Sequence, residues 1–173
     1  MNLKRISPDA IPAALARAER YRLLNQARQA ESIARDILAV VPDHQEASVL
    51  LLLALTDCFT DDAADAAHVD ALALVPKLDG DYARAYYEGL VVERWALALQ
   101  HRAAPHHLIA DWIEQAMVFF EMAEARRQPG NDEALLRWNA CARLLARLLR
   151  TKKPVVGADQ HGADMDLGDD PPR

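Results

Sequence analysis

The sequence predicts an all-α protein built as an antiparallel array of helix pairs, and three observations carry that expectation. Alanine and leucine dominate, β-branched residues are sparse, and only 6 glycines occur in 173 residues, a composition of high intrinsic helix propensity. Apolar residues recur at steps of three and four, the spacing that lines one side of a helix of about 3.6 residues per turn. Pro42 and Pro76 stand 34 positions apart, each at the end of such a segment. A proline pushes the residue before it out of the α region, so each one closes a helix. Helix pairs closed by a proline at a fixed interval are the pattern of a helical repeat array.

Ser7-Pro8-Asp9 marks the first start, with a capping hydroxyl and then a proline whose missing N–H costs nothing in a first turn. Ile11, Leu15, Ala18, Tyr21 and Leu24 form the apolar stripe of that helix, and Asn25, tolerant of a left-handed backbone, is its expected stop. A second helix is expected over 26–40, with Ala27, Ala30, Ile33, Ala34, Ile37 and Leu38 on one side and Pro42 beyond it. The third, leucine-rich, is expected over 46–57; "TDCFTDD" breaks the chain, and a fourth covers 62–75 up to Pro76.

A longer fifth helix over 82–100 follows "LDGD", with Gly80 at the turn and Gly89 at a helix–helix contact. A sixth begins at Pro105. The last is expected over 132–150, capped by Asn131 or Asp132, with Leu135, Trp138, Ala142 and Leu145 as its buried stripe. These helices make residues 1–150 the folded domain. Residues 151–173 hold three prolines, three glycines and five aspartates with no periodic apolar face, so they are expected to form an acidic, disordered tail.

Charge and composition also exclude partners. The chain carries a net −6, of which residues 154–173 supply −4 (five aspartates against Arg173), leaving −2 for the remainder. No basic stripe of the kind that binds nucleic acid is present, and the acidic end would repel phosphate. No apolar run approaches the roughly 18 residues of a membrane span. The basic start "MNLKRISPDAIP" has no apolar segment behind it, and the two cysteines, Cys58 and Cys141, suit buried, reduced thiols. A cytoplasmic protein is the expectation, with no cofactor and no membrane partner.

Aligned on the closing prolines, the chain resembles the tetratricopeptide-repeat family. Residues 11–44 supply Ala18, Tyr21, Ala30, Ala34, Leu38 and Pro42 at the family's small, aromatic and large positions. Residues 45–78 supply Leu52, Leu55, Ala64, Ala71, Leu72 and Pro76, with leucine where the first helix wants a small residue. A third unit, 79–130, matches through Ala116, Phe120, Ala123 and Pro129, after an elongated first helix and an insertion near His101–Pro105. The resemblance implies about three repeats plus a C-terminal capping helix, wound into a right-handed superhelix.

It also implies a partner-binding groove lined by the first helix of each repeat. Carried over position by position, that groove comprises Leu15, Glu19, Arg22 and Leu23, then Val49, Leu53, Thr56 and Asp57, then Ala83, Tyr87, Leu90 and Val91. The capping helix adds Leu136, Ala140 and Arg143. The lysines and asparagines with which the family clamps a peptide carboxylate are absent from these positions. A mostly apolar groove with a few charges suits a helical or apolar segment of another protein. The expected function is therefore a non-catalytic interaction module, an adaptor, scaffold or chaperone-like protein, with no catalytic residues.

Two alternatives stand beside it. A homodimer would pack the last helix against its mate through Leu144, Leu145, Leu148 and Leu149. A metal-binding enzyme would use His101, His107 and Asp111, of which His107 and Asp111 are four apart and share a helical side, though no second ligand pair accompanies them. Finally, Arg143, Arg147 and Arg150 form a basic line on the last helix, suited to an acidic segment.

Overall fold

The computed structural model describes residues 3–150, and these are helical throughout apart from short connections. A single 3₁₀ turn, Pro8–Ala10, leads into α1 (Ile11–Leu23), followed by α2 (Ala27–Leu38), α3 (Gln45–Asp57) and α4 (Ala64–Leu74). A second 3₁₀ turn, Val75–Lys77, precedes α5 (Asp81–His101), α6 (His106–Glu124) and α7 (Glu133–Arg150). The expected tail, residues 151–173, lies outside the described residues.

Local chemistry explains the boundaries. α1 ends where Asn25 adopts φ 57°, and Gln26 N–H reaches back to Tyr21 O at 2.8 Å while Asn25 N–H reaches Arg22 O at 2.9 Å. That is a Schellman cap, satisfying carbonyls that the helix end leaves open. α5 ends the same way, with Ala103 at φ 55° and Ala104 N–H on Leu99 O at 3.0 Å, although alanine fits that backbone less well than asparagine or glycine. Asn131 Oδ1 accepts from Glu133 N–H at 3.1 Å at the start of α7. Ser7 departs from expectation: its side chain makes no cap bond, because the chain first winds a 3₁₀ turn closed by Ala10 N–H on Ser7 O.

Consecutive helices pack on one another, and two cores result. One contains the inner sides of α1 to α4 and reaches Val91, Trp95 and Ala98 of α5. The other contains a different side of α5 with α6 and α7. Ala18, Ala30 and Ala34 are fully buried, so the small residues let the first helices approach closely. Gly89 does the same for α5 and α6: a Cβ there would lie 2.9 Å from the Phe120 ring. α5 and α6 form the most extensive helix pair, whereas α4 touches α5 only sparsely.

The odd-numbered helices α1, α3 and α5 also meet side by side. A polar ladder joins the first two helix pairs: Arg22–Asp57 at 2.7 Å, Arg28–Asp61 at 3.1 Å and Arg35–Asp70 at 3.0 Å, 35, 33 and 35 positions apart. Gln45 continues the spacing between the second pair and the turn before α5, accepting from Asp79 N–H at 2.9 Å across 34 positions.

One expectation for α7 is corrected. Its buried stripe is Ala134, Cys141, Leu144 and Leu148, with Trp138 and Leu145 half-buried, a rotation of about one residue from the predicted stripe. The side chain of Trp138 explains the offset: its Nε1–H donates to Glu121 Oε1 on α6 at 2.9 Å, which holds the indole at the edge of the interface. Leu144 and Leu148 are core residues in consequence and are not available to a symmetry mate.

Candidate partner-binding face

Asp57, the last residue of α3, is the centre of a connected polar network at the surface. Its two carboxylate oxygens take two arginines from either side, Arg22 Nε of α1 at 2.7 Å and Arg94 Nη1 of α5 at 2.5 Å. The same Arg94 nitrogen donates to Thr56 Oγ1 at 2.6 Å, and that hydroxyl donates onward to Leu53 O at 2.8 Å. One side chain thus ties together three odd-numbered helices. Shallow depressions border it, one lined by Arg22, Leu23, Asn25, Ala27 and Asp57, another by Thr56, Asp57, Arg94, Leu97 and His101 among others.

A second ion pair continues the row. Arg137 of α7 reaches Glu93 of α5 at 3.3 Å, and Glu93 is only 6% exposed. Burial pushes the Glu93 carboxyl up, and the positive charges of Arg137 and Arg94 pull against it. Arg94 is pushed down by burial, with Asp57 opposing and the neighbouring charges of Arg22 and Arg137 adding to the fall. For Arg137 burial is more than offset by Glu93 and Tyr86, and its pKa rises. Arg94 therefore senses the guanidiniums of both Arg22 and Arg137.

The expected groove residues divide into two groups. Glu19, Arg22, Val49, Leu53, Tyr87, Leu136 and Arg143 are exposed or partly exposed, Leu23 and Leu136 at 85% and 65%. Thr56, Leu90 and Val91 are corrected to core residues: they are buried, Val91 completely, because α5 is turned to seal the first core with that side. Leu15 is buried as well. Arg94 and Arg137, which the carried-over groove positions leave out, hold ion pairs on this face. Both fall outside the 34-residue register because α5 is longer than α1 and α3, and the pair spacings grow to 37 and 44.

His101, His107 and Asp111 are all exposed, the first at the end of α5 and the others at the start of α6. Among the described residues no group of three or more His, Cys, Asp or Glu side chains is placed to hold a metal ion. Cys58 and Cys141 are buried and unbridged, their thiols pushed up by burial to about 11 and about 12. No helix among the described residues is long and apolar enough to cross a membrane.

A separate aromatic cluster fills the sparse seam between α4 and α5. His68 stacks on Trp95 with centroids 4.2 Å apart and meets Phe59 and Trp112 edge-on. Arg102 sits 5.2 Å from the Trp95 ring, donates to Phe59 O at 2.8 Å and pairs with Asp65 at 3.8 Å. His68 Nε2 is buried without a hydrogen-bond partner among the described residues, and burial pushes its pKa down while Asp65 opposes.

Comparison of the chain with family models, with curated proteins and with solved structures gives no match in any of the three.

Proposed function

We propose that this protein is a non-catalytic interaction module of the tetratricopeptide-repeat type, whose partner is a helical or apolar segment of another protein. In this reading α1–α2, α3–α4 and α5–α6 are the three repeats, α7 is the cap, and the row of odd-numbered helices is the concave side of a right-handed superhelix. The observation that carries it is the rung spacing of the polar ladder, 33 to 35 positions for three ion pairs and 34 for the Gln45 bond. Pairs that stack as repeats bring equivalent positions of successive pairs next to one another, and the rung spacing supports that reading.

The face of α1, α3, α5 and α7 pairs apolar side chains (Leu23, Val49, Leu53, Tyr87, Leu136) with the arginine row. An amphipathic segment fits such a mixture, apolar side chains seating between helices and carboxylates meeting guanidiniums. A photo-crosslinking residue at Leu53 or Tyr87 tests this, with Val118 on the exposed side of α6 as control. The expected result is one discrete crosslinked protein from the first two positions, lost when Leu23→Glu is added. Crosslinking only from Val118, or equally from all three positions, contradicts the reading.

A further inference from the structure

α1 and α2 present to solvent a face whose counterpart in the next helix pair is buried. α3 packs closely on α2, and its Ala47, Leu50 and Leu51 are buried. The residues 34 positions earlier, Ala13, Ala16 and Arg17 of α1, are exposed, because among the described residues no helix other than α2 and α3 packs closely on α1. Between α1 and α2 this face sinks into a groove of about 500 Å³. Ile6, Ala14, Tyr21 and Ile33 line it and rest against the first core. Its only charged lining residues are Arg17 on α1 and Asp36 on α2, and neither side chain has an ion pair or a hydrogen bond. Asp9 and Arg20, a turn away from Ala13 and Arg17, add one exposed charge of each sign, while Lys4 and Arg5 precede Ile6 outside the lining. Asp36 also stands 34 positions before Asp70, whose carboxylate takes Arg35 of α2. The polar ladder therefore has an open rung at this end, a carboxylate placed for a neighbour's cation.

We propose that a second copy of the chain docks in this groove, the two α1–α2 pairs meeting about a two-fold axis that runs along it. Such an axis lays α1 of each protomer over α2 of the other, so that Arg17 of one meets Asp36 of its partner, and the same contact is made twice. The heights agree. Counted from the turn at Asn25, Arg17 lies 8 residues back along α1 and Asp36 11 residues on along α2, an offset of about 5 Å that an arginine side chain spans. Ala10, Ala13 and Ala14 leave room for the facing helix to come close, as Ala18, Ala30 and Ala34 do inside the fold. A second copy is favoured as the occupant because it supplies both missing charges at the spacing the groove itself has. Helices of 13 and 12 residues make a face about 20 Å long, a small contact of the reversible kind.

Of the proposed function this shares only the equivalence of successive helix pairs. Crosslinks from Leu53 and Tyr87 report on the odd-helix face and do not depend on the dimer, so the two readings fail separately. Sedimentation of the full chain should show monomer passing to dimer between low and high micromolar concentration. Arg17→Glu and Asp36→Lys, both at the surface, should each weaken the dimer more than about tenfold by setting like charges opposite one another, and circular dichroism should show both variants still helical. Mixed in equal amounts, the two variants should recover a dimer with one chain of each, resolved by native mass spectrometry. A chain that stays monomeric throughout overturns the proposal. So does a dimer indifferent to either change, or one that mixing the variants fails to restore.

Discussion

The first four helices and the last three are held together by different means. α1 to α4 are short, 11 to 13 residues each, and their successive pairs are stitched by arginine–carboxylate rungs at the surface. α5 to α7 run to 21, 19 and 18 residues and rely on apolar contact, with Gly89 drawn against Phe120 and a second core of its own. Exposed rungs contribute about 0–1 kcal/mol each, whereas burying a large apolar side chain is worth about 1.5–3 kcal/mol. The difference teaches that the polar ladder sets register in the first region, whose stability, like that of the second, comes from an apolar core. α4 meets α5 only sparsely, through the rings of Phe59, His68, Trp95 and Trp112, while Val91 and Ala98 of α5 join the first core directly.

The largest expected effect lies in the second region. Phe120, fully buried among α5, α6 and α7, should cost about 3–5 kcal/mol when changed to alanine. Arg35→Ala, which removes a rung at the surface, should cost under about 1 kcal/mol. Chemical denaturation of both variants checks the contrast, and similar losses would break it. Gly89→Ala sharpens it: the new methyl would clash with a packed ring, not with a flexible tip, and about 1–3 kcal/mol should be lost.

The seam should respond to acid. His68 has a folded pKa below its ordinary value because burial disfavours the cation, with Asp65 opposing and Arg102 on the far neighbour Trp95. A lowered histidine pKa means that the unfolded chain binds the proton more readily, so this contribution is present above about pH 6.5 and is lost as pH falls through the folded pKa. Thermal unfolding between neutral and mildly acidic pH should show that loss, and His68→Phe should flatten the slope. An unchanged slope would remove His68 from the account.

The smallest effect is a gain. Ala103 holds a left-handed backbone at the end of α5, and Ala103→Gly should stabilise the protein by about 0.5–1 kcal/mol. A melting temperature that falls would show that the added unfolded-chain freedom outweighs the relieved strain.

Much of this was legible in the sequence. Helix starts and stops followed from Asn25, Pro42 and Asn131, whereas Val75 keeps a right-handed helical backbone before Pro76, which lies inside a 3₁₀ turn; alanines at period positions named the tight crossings. Gly89 read correctly as a helix–helix contact. The rotation of α7 was not legible, because a helix with alanine, leucine and cysteine on adjoining sides offers two apolar stripes about one residue apart. What selects between them is Glu121 on another helix, which takes the Trp138 N–H. The arginine row was hidden for a related reason. Arg94 and Arg137 reach carboxylates 37 and 44 positions away, and extra turns in α5 and α6 break the period that a sequence comparison would follow.

Native-state hydrogen exchange, read amide by amide, tests most directly whether the extensive α5–α6 pair is the most firmly held part of the molecule and the sparsely packed α4 the least. The account predicts the greatest protection in α5 and α6 around Gly89 and Phe120, lower protection in α1 to α3, and the least among helix interiors in α4, which lies at the seam. Equal protection through all seven helices, or an α4 as protected as α5, would contradict it.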